Sequence, residues 1–209
     1  THRFYLSDNV PNQENKFLVT DRFISLYDSS DFDNLVMLAP FGSEIYYKRL
    51  NDLWCTFNLD AMDYYFKHLA AFDEMTENLT RENIILSCNE LMGSPYLWGG
   101  KSSFGYDCTG FVQMVLKTAG MYIQRDTSLQ IKNKTLEKIQ IDDTEPGDLL
   151  FFLEDNKTIH VAFLIGDGKI IHSSGQVKIE SIIEGEPGFN STLAKLEHTY
   201  TSIAKMVNS

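Results

Sequence analysis

Short hydrophobic runs separated by polar clusters fill the first third of the chain. The runs lie between residues 16 and 60, are bounded by Asp, Ser, Asn and Gly, and read KFLVT, FISLY, NLVMLAP, SEIYYKRL and LWCTFNL. Runs of this length at this close spacing are typical of short β-strands joined by tight turns. The pattern therefore predicts a small β-barrel in this part of the chain.

The hydrophobic period lengthens to that of a helix between residues 61 and 92. We expect two connector helices there, and Thr80 stands where the N-cap of the second is expected. The apolar positions are Tyr64, Tyr65, His68, Leu69 and Phe72 in the first helix, and Ile84, Ile85, Cys88, Leu91 and Met92 in the second.

A further amphipathic helix is predicted to begin at Cys108. Asp107 is its natural N-cap and Gly120 its C-terminal stop. The loop GSPYLWGG, residues 93–100, precedes it. One face of the helix is apolar and consists of Phe111, Val112, Val115, Leu116 and Ala119.

The last third of the chain returns to strand-length runs. The segments PGDLLFFLE, HVAFLIGDGKIIHSS and QVKIESII predict consecutive strands of an antiparallel sheet. The final segment, LAKLEHTYTSIAKMVNS, is compatible with either a helix or a strand. The predicted order is β-barrel, connector helices, helix from Cys108, sheet.

Charge and composition argue against several classes of binding partner and of protein. The chain has 18 basic and 29 acidic residues and a net charge of −11, which argues against nucleic acid or anionic lipid as the main partner. Its longest apolar runs, such as Leu149–Leu153, are far below the ~20 residues that span a bilayer, so we expect no integral membrane segment. Three cysteines without C-x-x-C argue against a disulfide scaffold, and five histidines without H-E-x-x-H argue against a zinc site.

The chain begins at Thr1 rather than methionine, so we expect a processed or truncated product whose compartment cannot be read directly. The cell envelope is the expected compartment, and the cytoplasm is the alternative.

Cys108 admits two interpretations, an inert core thiol or a nucleophile. A helix N-terminus favours the thiolate, and a nucleophilic cysteine also needs a histidine base held by a third group. The candidates are His160 and His172, which flank one tight turn. A two-residue loop would place them on opposite faces of the sheet, whereas a three-residue loop, Gly166–Gly168, pairs residue 172 with residue 162 and places both on one face.

Each of these residues alone is most commonly structural, a buried thiol or a hydrogen-bonded strand histidine. Their convergence favours a Cys-His-His site. The segments PYLWGG, GYDCTGFVQMVL, GMYIQRDTSLQ, EPGDLLFF and HVAFLIGDGKIIHSS closely resemble the NlpC/P60 family of cell-wall cysteine peptidases.

The resemblance implies an α+β fold in two domains. Residues 76–209 are expected to form a papain-like NlpC/P60 core, in which the nucleophile helix packs on an antiparallel sheet that carries the histidines. Residues 1–75 are similar to a bacterial SH3 domain, a small SH3-like β-barrel.

The same resemblance assigns roles to the site residues. Cys108 is expected to be the nucleophile, His160 the general base and His172 the orienting third member. Tyr96 matches a tyrosine that contacts the nucleophile, and the backbone N–H of Cys108 would supply part of an oxyanion hole.

Relatives with an SH3-like domain cleave between γ-D-glutamate and the diamino acid of peptidoglycan stem peptides that carry a free N-terminal L-alanine. The acidic side chain of Asp107 suits such an ammonium group and remains compatible with a cap role. The further residues expected to bind substrate are Thr109, Thr127 or Ser128, and, in the SH3-like domain, Asp28 and Tyr64 or Tyr65.

Two alternatives remain open. One is an amidase or acyltransferase on the same core, and the other is a wall-binding protein in which catalysis is incidental. The amidase or acyltransferase would use a different acyl donor. For the peptidase we expect peptidoglycan stem peptides as partners, a monomer, and no metal or cofactor.

Overall fold

Two antiparallel sheets, one in each of two units, organise the computed structural model of the chain. The units are Thr1–Glu77 and Asn78–Ser209, where the sequence predicted domains of 1–75 and 76–209. The described residues are 15–29, 31, 34–67 and 80–207. Within these ranges, no helix combines the length and the apolar character that crossing a membrane requires.

The sheet of the first unit has six strands in the order β1-β4-β5-β6-β2-β3. Its core is aromatic, since the ring of Phe17 stacks on Phe66 at 5.2 Å between centroids and meets Tyr47 edge-on at 5.6 Å. Burial of these rings stabilises the sheet by roughly 2 kcal/mol each. The strands are β1 (Asn15–Leu18), β2 (Phe23–Tyr27), β3 (Leu35–Pro40), β4 (Glu44–Arg49), β5 (Trp54–Leu59) and β6 (Met62–Lys67).

The prediction of a helix around Tyr64 was wrong. Strand β6 pairs with β5 across a two-residue turn in which Asp60 and Ala61 both have positive φ, 51° and 64°. That conformation is the one a tight hairpin requires. Tyr64 and Phe66 are buried on one face of the strand while Tyr65 lies on the other, so aromatic residues on both faces hid the period of two. The remaining apolar positions of that predicted helix, His68, Leu69 and Phe72, lie outside the described residues.

The second unit is α+β. Its large sheet is antiparallel, with the strand order β13-β12-β11-β10-β14-β9, and a two-stranded ribbon, β7-β8, accompanies it. The helices are α1 (Arg81–Glu90), α2 (Cys108–Thr118), α3 (Thr127–Gln130), α4 (Ser191–Ala194) and α5 (Ala204–Val207). The strands are β7 (Lys101–Ser102), β8 (Gly105–Tyr106), β9 (Glu137–Ile139), β10 (Leu149–Glu154), β11 (Lys157–Gly166), β12 (Lys169–Ser174), β13 (Gln176–Ser181) and β14 (Glu197–Ser202), with a short 3₁₀ turn at Ile141–Asp143.

Helix α2 has the predicted start, buried face and end. The Asp107 carboxylate caps it by accepting a hydrogen bond from the N–H of Gly110 at 2.7 Å, an interaction worth about 1 kcal/mol. Phe111 is fully buried and meets Phe163 of β11 edge-on, with 5.8 Å between ring centroids. Gly120 follows the last turn with φ of 78°, a conformation that favours glycine.

The other predictions for this unit are confirmed in outline. Thr80 caps α1 by accepting a hydrogen bond from the N–H of Asn83 at 3.1 Å. The three segments predicted as strands form β10 to β13. The ambiguous final segment contains β14, which pairs with β10, and then the short helix Ala204–Val207.

Candidate active site

The Cys108 thiol lies at the first turn of α2 and faces strand β11. The backbone N–H of Val161 donates a hydrogen bond to the Cys108 sulfur. Burial raises the pKa of the Cys108 thiol, the Val161 hydrogen bond opposes that rise, and the Asp107 carboxylate adds to it. The sequence predicted a thiolate stabilised by the helix N-terminus; instead the enclosed thiol and the neighbouring carboxylate favour the neutral form.

His160 and His172 lie on one face of the sheet, as the sequence predicted. The register of β11 and β12 pairs Phe163 with Ile171, and its continuation sets residue 162 opposite residue 172. The turn differs from the predicted three-residue loop. Asp167 and Gly168, with φ of 50° and 66°, form a two-residue turn, and a bulge between Leu164 and Gly166 absorbs the extra residue.

The two imidazoles are directly joined. His160 Nε2 lies 2.7 Å from His172 Nδ1, and His172 Nε2 lies 2.9 Å from Glu180 Oε2. Burial, and after it the charge of His172, lower the pKa of His160 to about 3. Burial also lowers the pKa of His172, against an opposing effect of Glu180. Both histidines are therefore neutral at pH 7, which is the state a general base requires.

Sequence reasoning missed Glu180. Its strand carries the segment QVKIES, in which Lys178 pairs with His172 and Glu180 follows two residues later on the same face. A carboxylate at that diagonal position was the available signal.

Tyr96 lies beside the thiol. Its backbone N–H donates to the Gly175 carbonyl at 2.9 Å, which fixes the loop before the ribbon. Burial, followed by the charges of Cys108 and Asp107, raises the pKa of the Tyr96 phenol. Its hydroxyl is thus within electrostatic reach of both residues and stays protonated at neutral pH.

Asp107 is the centre of a dense polar cluster. Its Oδ1 accepts hydrogen bonds from Thr109 Oγ1 at 2.9 Å and from Arg125 Nη1 at 2.9 Å, besides the helix cap. Its Oδ2 accepts from the N–H of Gly99 at 2.9 Å and from Arg125 Nη2 at 2.5 Å. Burial opposes ionisation of Asp107, but the hydrogen bonds of Arg125, Gly110 and Thr109 outweigh it and lower its pKa.

The Arg125 guanidinium therefore neutralises the carboxylate expected to bind an ammonium group. It holds Asp107 through a bidentate pair and also contacts the Thr109 hydroxyl. Sequence reasoning missed Arg125, although it precedes Asp126 in the quoted segment QRDTSLQ.

The other candidates of this unit take separate positions. Thr109 is buried, and its carbonyl accepts a hydrogen bond from Gln130 Nε2 at 3.2 Å. The Thr127 hydroxyl donates to the Thr158 carbonyl at 3.0 Å and so joins α3 to β11 near His160. Ser128 is exposed.

The first unit holds the remaining candidates. Asp28 accepts a hydrogen bond from Asn34 Nδ2 at 2.6 Å. Tyr64 is only 8% exposed and stacks on Phe57 at 5.4 Å, whereas Tyr65 is half-buried on the opposite face of β6. Burial of the Tyr64 ring favours Tyr65 of the two, and a role in substrate binding stays a prediction for Asp28 and for either tyrosine.

A cysteine at a helix start, packed against the strand of an antiparallel sheet that carries one of two linked histidines, agrees with the family that the sequence resembles. The model of the NlpC/P60 family matches residues 93–193. The matched segment lies wholly within the second unit.

Similar proteins agree with that match. The chain is 43% identical over 97 residues to a γ-D-glutamyl-L-lysine dipeptidyl-peptidase of Bacillus subtilis, a match that covers 45% of this chain and 32% of the relative. It is 33% identical over 133 residues to a dipeptidyl-peptidase 6 of Lysinibacillus sphaericus, covering 62% of this chain and 46% of the relative. The matched part thus spans less than half the length of either relative.

A solved structure shares the fold. The crystal structure of an NlpC/P60 family protein from Bacillus cereus superposes with a TM-score of 0.72 at 23% identity, over 88% of this chain and 62% of that one. The shared fold therefore extends beyond the residues that the family model matches.

Proposed function

We propose that this protein is a cysteine peptidase of the bacterial cell wall that hydrolyses the bond between γ-D-glutamate and the following diamino acid, lysine or diaminopimelate, in peptidoglycan stem peptides. The observation that carries the proposal is the hydrogen-bonded pair of His160 and His172 on the sheet whose Val161 N–H, one residue after His160, meets the Cys108 sulfur. The similarity to the γ-D-glutamyl-L-lysine dipeptidyl-peptidase of Bacillus subtilis supports the choice of bond.

The chemistry begins from a neutral pair. Because the pKa of the Cys108 thiol is raised and that of His160 is lowered, the resting site holds a thiol and an uncharged imidazole. His160 takes the thiol proton as the sulfur attacks the γ-carbonyl carbon of D-glutamate. Proton transfer is then coupled to attack, so thiolate forms only when an acceptor carbonyl is bound.

The acyl-enzyme forms and breaks in two balanced steps. The tetrahedral oxyanion accepts a hydrogen bond from the Cys108 backbone N–H, and His160 returns its proton to the amine of the departing diamino acid. A water molecule, deprotonated by His160, then attacks the thioester carbonyl and releases the free γ-carboxylate and the thiol. The Tyr96 hydroxyl, protonated at neutral pH, is a second donor beside this centre.

We propose that peptides with a free N-terminal L-alanine are preferred. Support comes from Asp107, which is ionised beside the nucleophile. Arg125 already donates two hydrogen bonds to the Asp107 carboxylate, so binding of the substrate ammonium group requires that it share the carboxylate with the guanidinium or displace it. A six-stranded first unit suits an SH3-like barrel, for which we propose a role in substrate selection. We further propose that the protein acts as a monomer in the cell envelope.

The test is mass spectrometry of L-Ala-γ-D-Glu-diaminopimelate after incubation with the wild type and with Cys108→Ala, beside the N-acetylated peptide. We expect release of L-Ala-D-Glu from the free peptide alone and none by the variant. Cleavage of both peptides would reject the amine preference and favour action on intact wall. Cleavage of neither, with turnover of other amides, would favour an amidase or acyltransferase.

A further inference from the structure

The chain of hydrogen bonds that begins at His160 continues beyond His172 to Glu180. The ring of His172 is fully buried, and its Nε2 meets Glu180 Oε2 at 2.9 Å. Glu180 is ionised, since hydrogen bonds from Lys178 and Asn190 outweigh its burial and lower its pKa. A carboxylate can only accept, so the proton of this contact resides on His172 Nε2.

That single proton fixes both tautomers. With Nε2 protonated, neutral His172 has a bare Nδ1, which must accept the hydrogen bond of 2.7 Å from His160 Nε2–H. Neutral His160 is then bare at Nδ1, its remaining nitrogen. A chain of donors thus runs from His160 through His172 to Glu180 and leaves one basic nitrogen outside the chain.

Glu180 itself is held in place from two elements. Lys178 Nζ of the same strand donates to Oε1 at 2.8 Å. Asn190 Nδ2, at the cap of α4, donates to Oε2 at 2.7 Å. The carboxylate is therefore oriented before substrate binds, which is what a residue that fixes another group requires.

We propose that Glu180 is the fourth member of the site, a positioning residue that keeps the proton on His172 Nε2 and stabilises the positive charge that His160 acquires when it takes the Cys108 proton. The inference rests on the proposed use of Cys108 as nucleophile. It does not depend on which peptide is the substrate.

The charges around the two imidazoles have opposite signs. Glu180 raises the pKa values of His160 and His172, and Lys178 lowers both. On the side of α2, the Cys108 sulfur accepts a hydrogen bond from the N–H of Val161, the residue after His160. Removal of the carboxylate should therefore make His160 less basic, and removal of the ammonium group should make it more basic.

Three variants separate charge from hydrogen bonding. Glu180→Gln keeps an oxygen for His172 Nε2–H but removes the charge, and Glu180→Ala removes both. Lys178→Met removes the opposing cation and its hydrogen bond to Oε1, and leaves Asn190 to hold the carboxylate. Two-bond ¹H–¹⁵N spectra of the histidines give each tautomer directly. Alkylation of Cys108 by iodoacetamide across pH measures its reactivity without any peptide, and the buried Cys55 and Cys88 serve as the unreactive background.

We expect Glu180→Ala to move the His172 proton to Nδ1, to slow alkylation at pH 7 and to lower kcat, each rate by about a hundredfold, with KM changed less than about threefold. Glu180→Gln should keep the wild-type tautomers and lose about tenfold in both rates. Lys178→Met should shift the acid limb of the alkylation profile to higher pH, opposite to Glu180→Gln.

Wild-type tautomers and alkylation rates in Glu180→Ala would overturn the inference. If the wild type cleaves no murein peptide while the variants change tautomer and alkylation as expected, the proposed substrate fails and the role of Glu180 stands. The two failures are therefore distinct.

Discussion

His160 Nε2 and His172 Nδ1 lie 2.7 Å apart, with the two rings nearly perpendicular at 84°. The edge of one imidazole thus directs its proton at the lone pair of the other. This arrangement makes the orientation of the base depend on a residue twelve positions away on the next strand, and it leads to the first prediction.

Replacement of His172 should remove activity mainly through kcat. His172→Ala leaves His160 Nε2–H without its acceptor, so we expect kcat to fall by about 10²- to 10³-fold with little change in KM. His172→Gln, whose amide oxygen can accept the same hydrogen bond, should recover part of the loss. Steady-state kinetics on the murein tripeptide provides the measurement.

The control for that pair is His198→Gln. His198 Nε2 bonds the Leu193 carbonyl at 2.9 Å, within the unit but outside the chain of donors. A fall in kcat as large in His198→Gln as in His172→Ala would show that loss of any hydrogen-bonded histidine of this unit suffices.

Acid should destabilise the fold through His160. Its folded pKa is about 3, below the ordinary value near 6.5, so the unfolded chain binds the extra proton first as pH falls. Stability is therefore greatest above the unfolded pKa and declines through the window from about pH 6.5 to about 3. Between pH 7 and pH 5, this one imidazole should cost about 2 kcal/mol.

Urea unfolding at pH 7 and pH 5 measures that slope. His160→Gln should be less sensitive to the change by about 2 kcal/mol, because it has no proton to gain. The carboxyl groups of Asp107 and Glu180 contribute little in this window, because their loss of stability begins only near their unfolded pKa values of 3.8 and 4.5, below pH 5. An unchanged pH sensitivity in His160→Gln would reject the assigned protonation state.

Arg125 should be important for stability beyond its charge. Arg125→Lys keeps the cation but loses the bidentate contact with Asp107, so we expect a loss of about 1–2 kcal/mol in unfolding free energy. Arg49→Lys is the matched control, because its pair with Asp52 is exposed at 3.6 Å and should cost less than about 0.5 kcal/mol. Equal effects would mean that the Asp107 cluster is no stronger than a surface ion pair.

Gly110 should tolerate no side chain. A methyl group there would overlap the backbone oxygen of Gly100, so Gly110→Ala must push the nucleophile helix away from the glycine-rich loop. We expect at least about 3 kcal/mol of destabilisation and loss of activity.

Gly120→Ala is the comparison for Gly110→Ala, since a Cβ there meets nothing within 4 Å and the cost is that of its positive φ alone, about 1 kcal/mol. Thermal unfolding of both variants gives the difference. If Gly110→Ala were as stable as Gly120→Ala or more so, the glycine-rich loop at Gly100 would have moved to accommodate the methyl group.

Thr127 should stabilise the fold through the hydrogen bond that joins α3 to β11. Thr127→Val removes the hydrogen bond to the Thr158 carbonyl and should cost about 1 kcal/mol, while Thr127→Ser should restore it. The exposed Ser128→Ala should leave stability unchanged. If Thr127→Val instead raises KM with unchanged stability, its hydroxyl binds substrate directly.

Sequence predicted the elements in which local signals agree. In α2, the cap at Asp107, the apolar face and the stop at Gly120 are all local, and each was confirmed. Strand β6 failed because adjacent tyrosines fit both a helix and a strand, and only pairing with β5 decides between them. Strand β14 likewise owes its conformation to a distant partner, β10.

The site shows the same division. The sequence predicted that the two histidines share a face, because a single turn joins their strands. The predicted three-residue loop is in fact a two-residue turn followed by a bulge. Arg125 is 18 positions from Asp107, and no periodicity reports that contact. The sequence predicted a lowered pKa for the Cys108 thiol, whereas burial raises it. That prediction was wrong because burial depends on tertiary packing, which the sequence does not show.

The hydrogen bond from Val161 to the Cys108 sulfur has a spectroscopic consequence. The ladder between β11 and β12 runs only from the Gly166–Lys169 pair to the Phe163–Ile171 pair, so the Val161 amide lies past the end of that ladder. It meets the Cys108 sulfur there, while Val161 is paired with Phe151 of β10 on the other side of the strand. Its amide resonance and its exchange with deuterium should therefore respond to ionisation, oxidation or acylation of the thiol. A backbone amide in the sheet thus serves as a built-in label for the chemical state of the nucleophile at each stage of turnover.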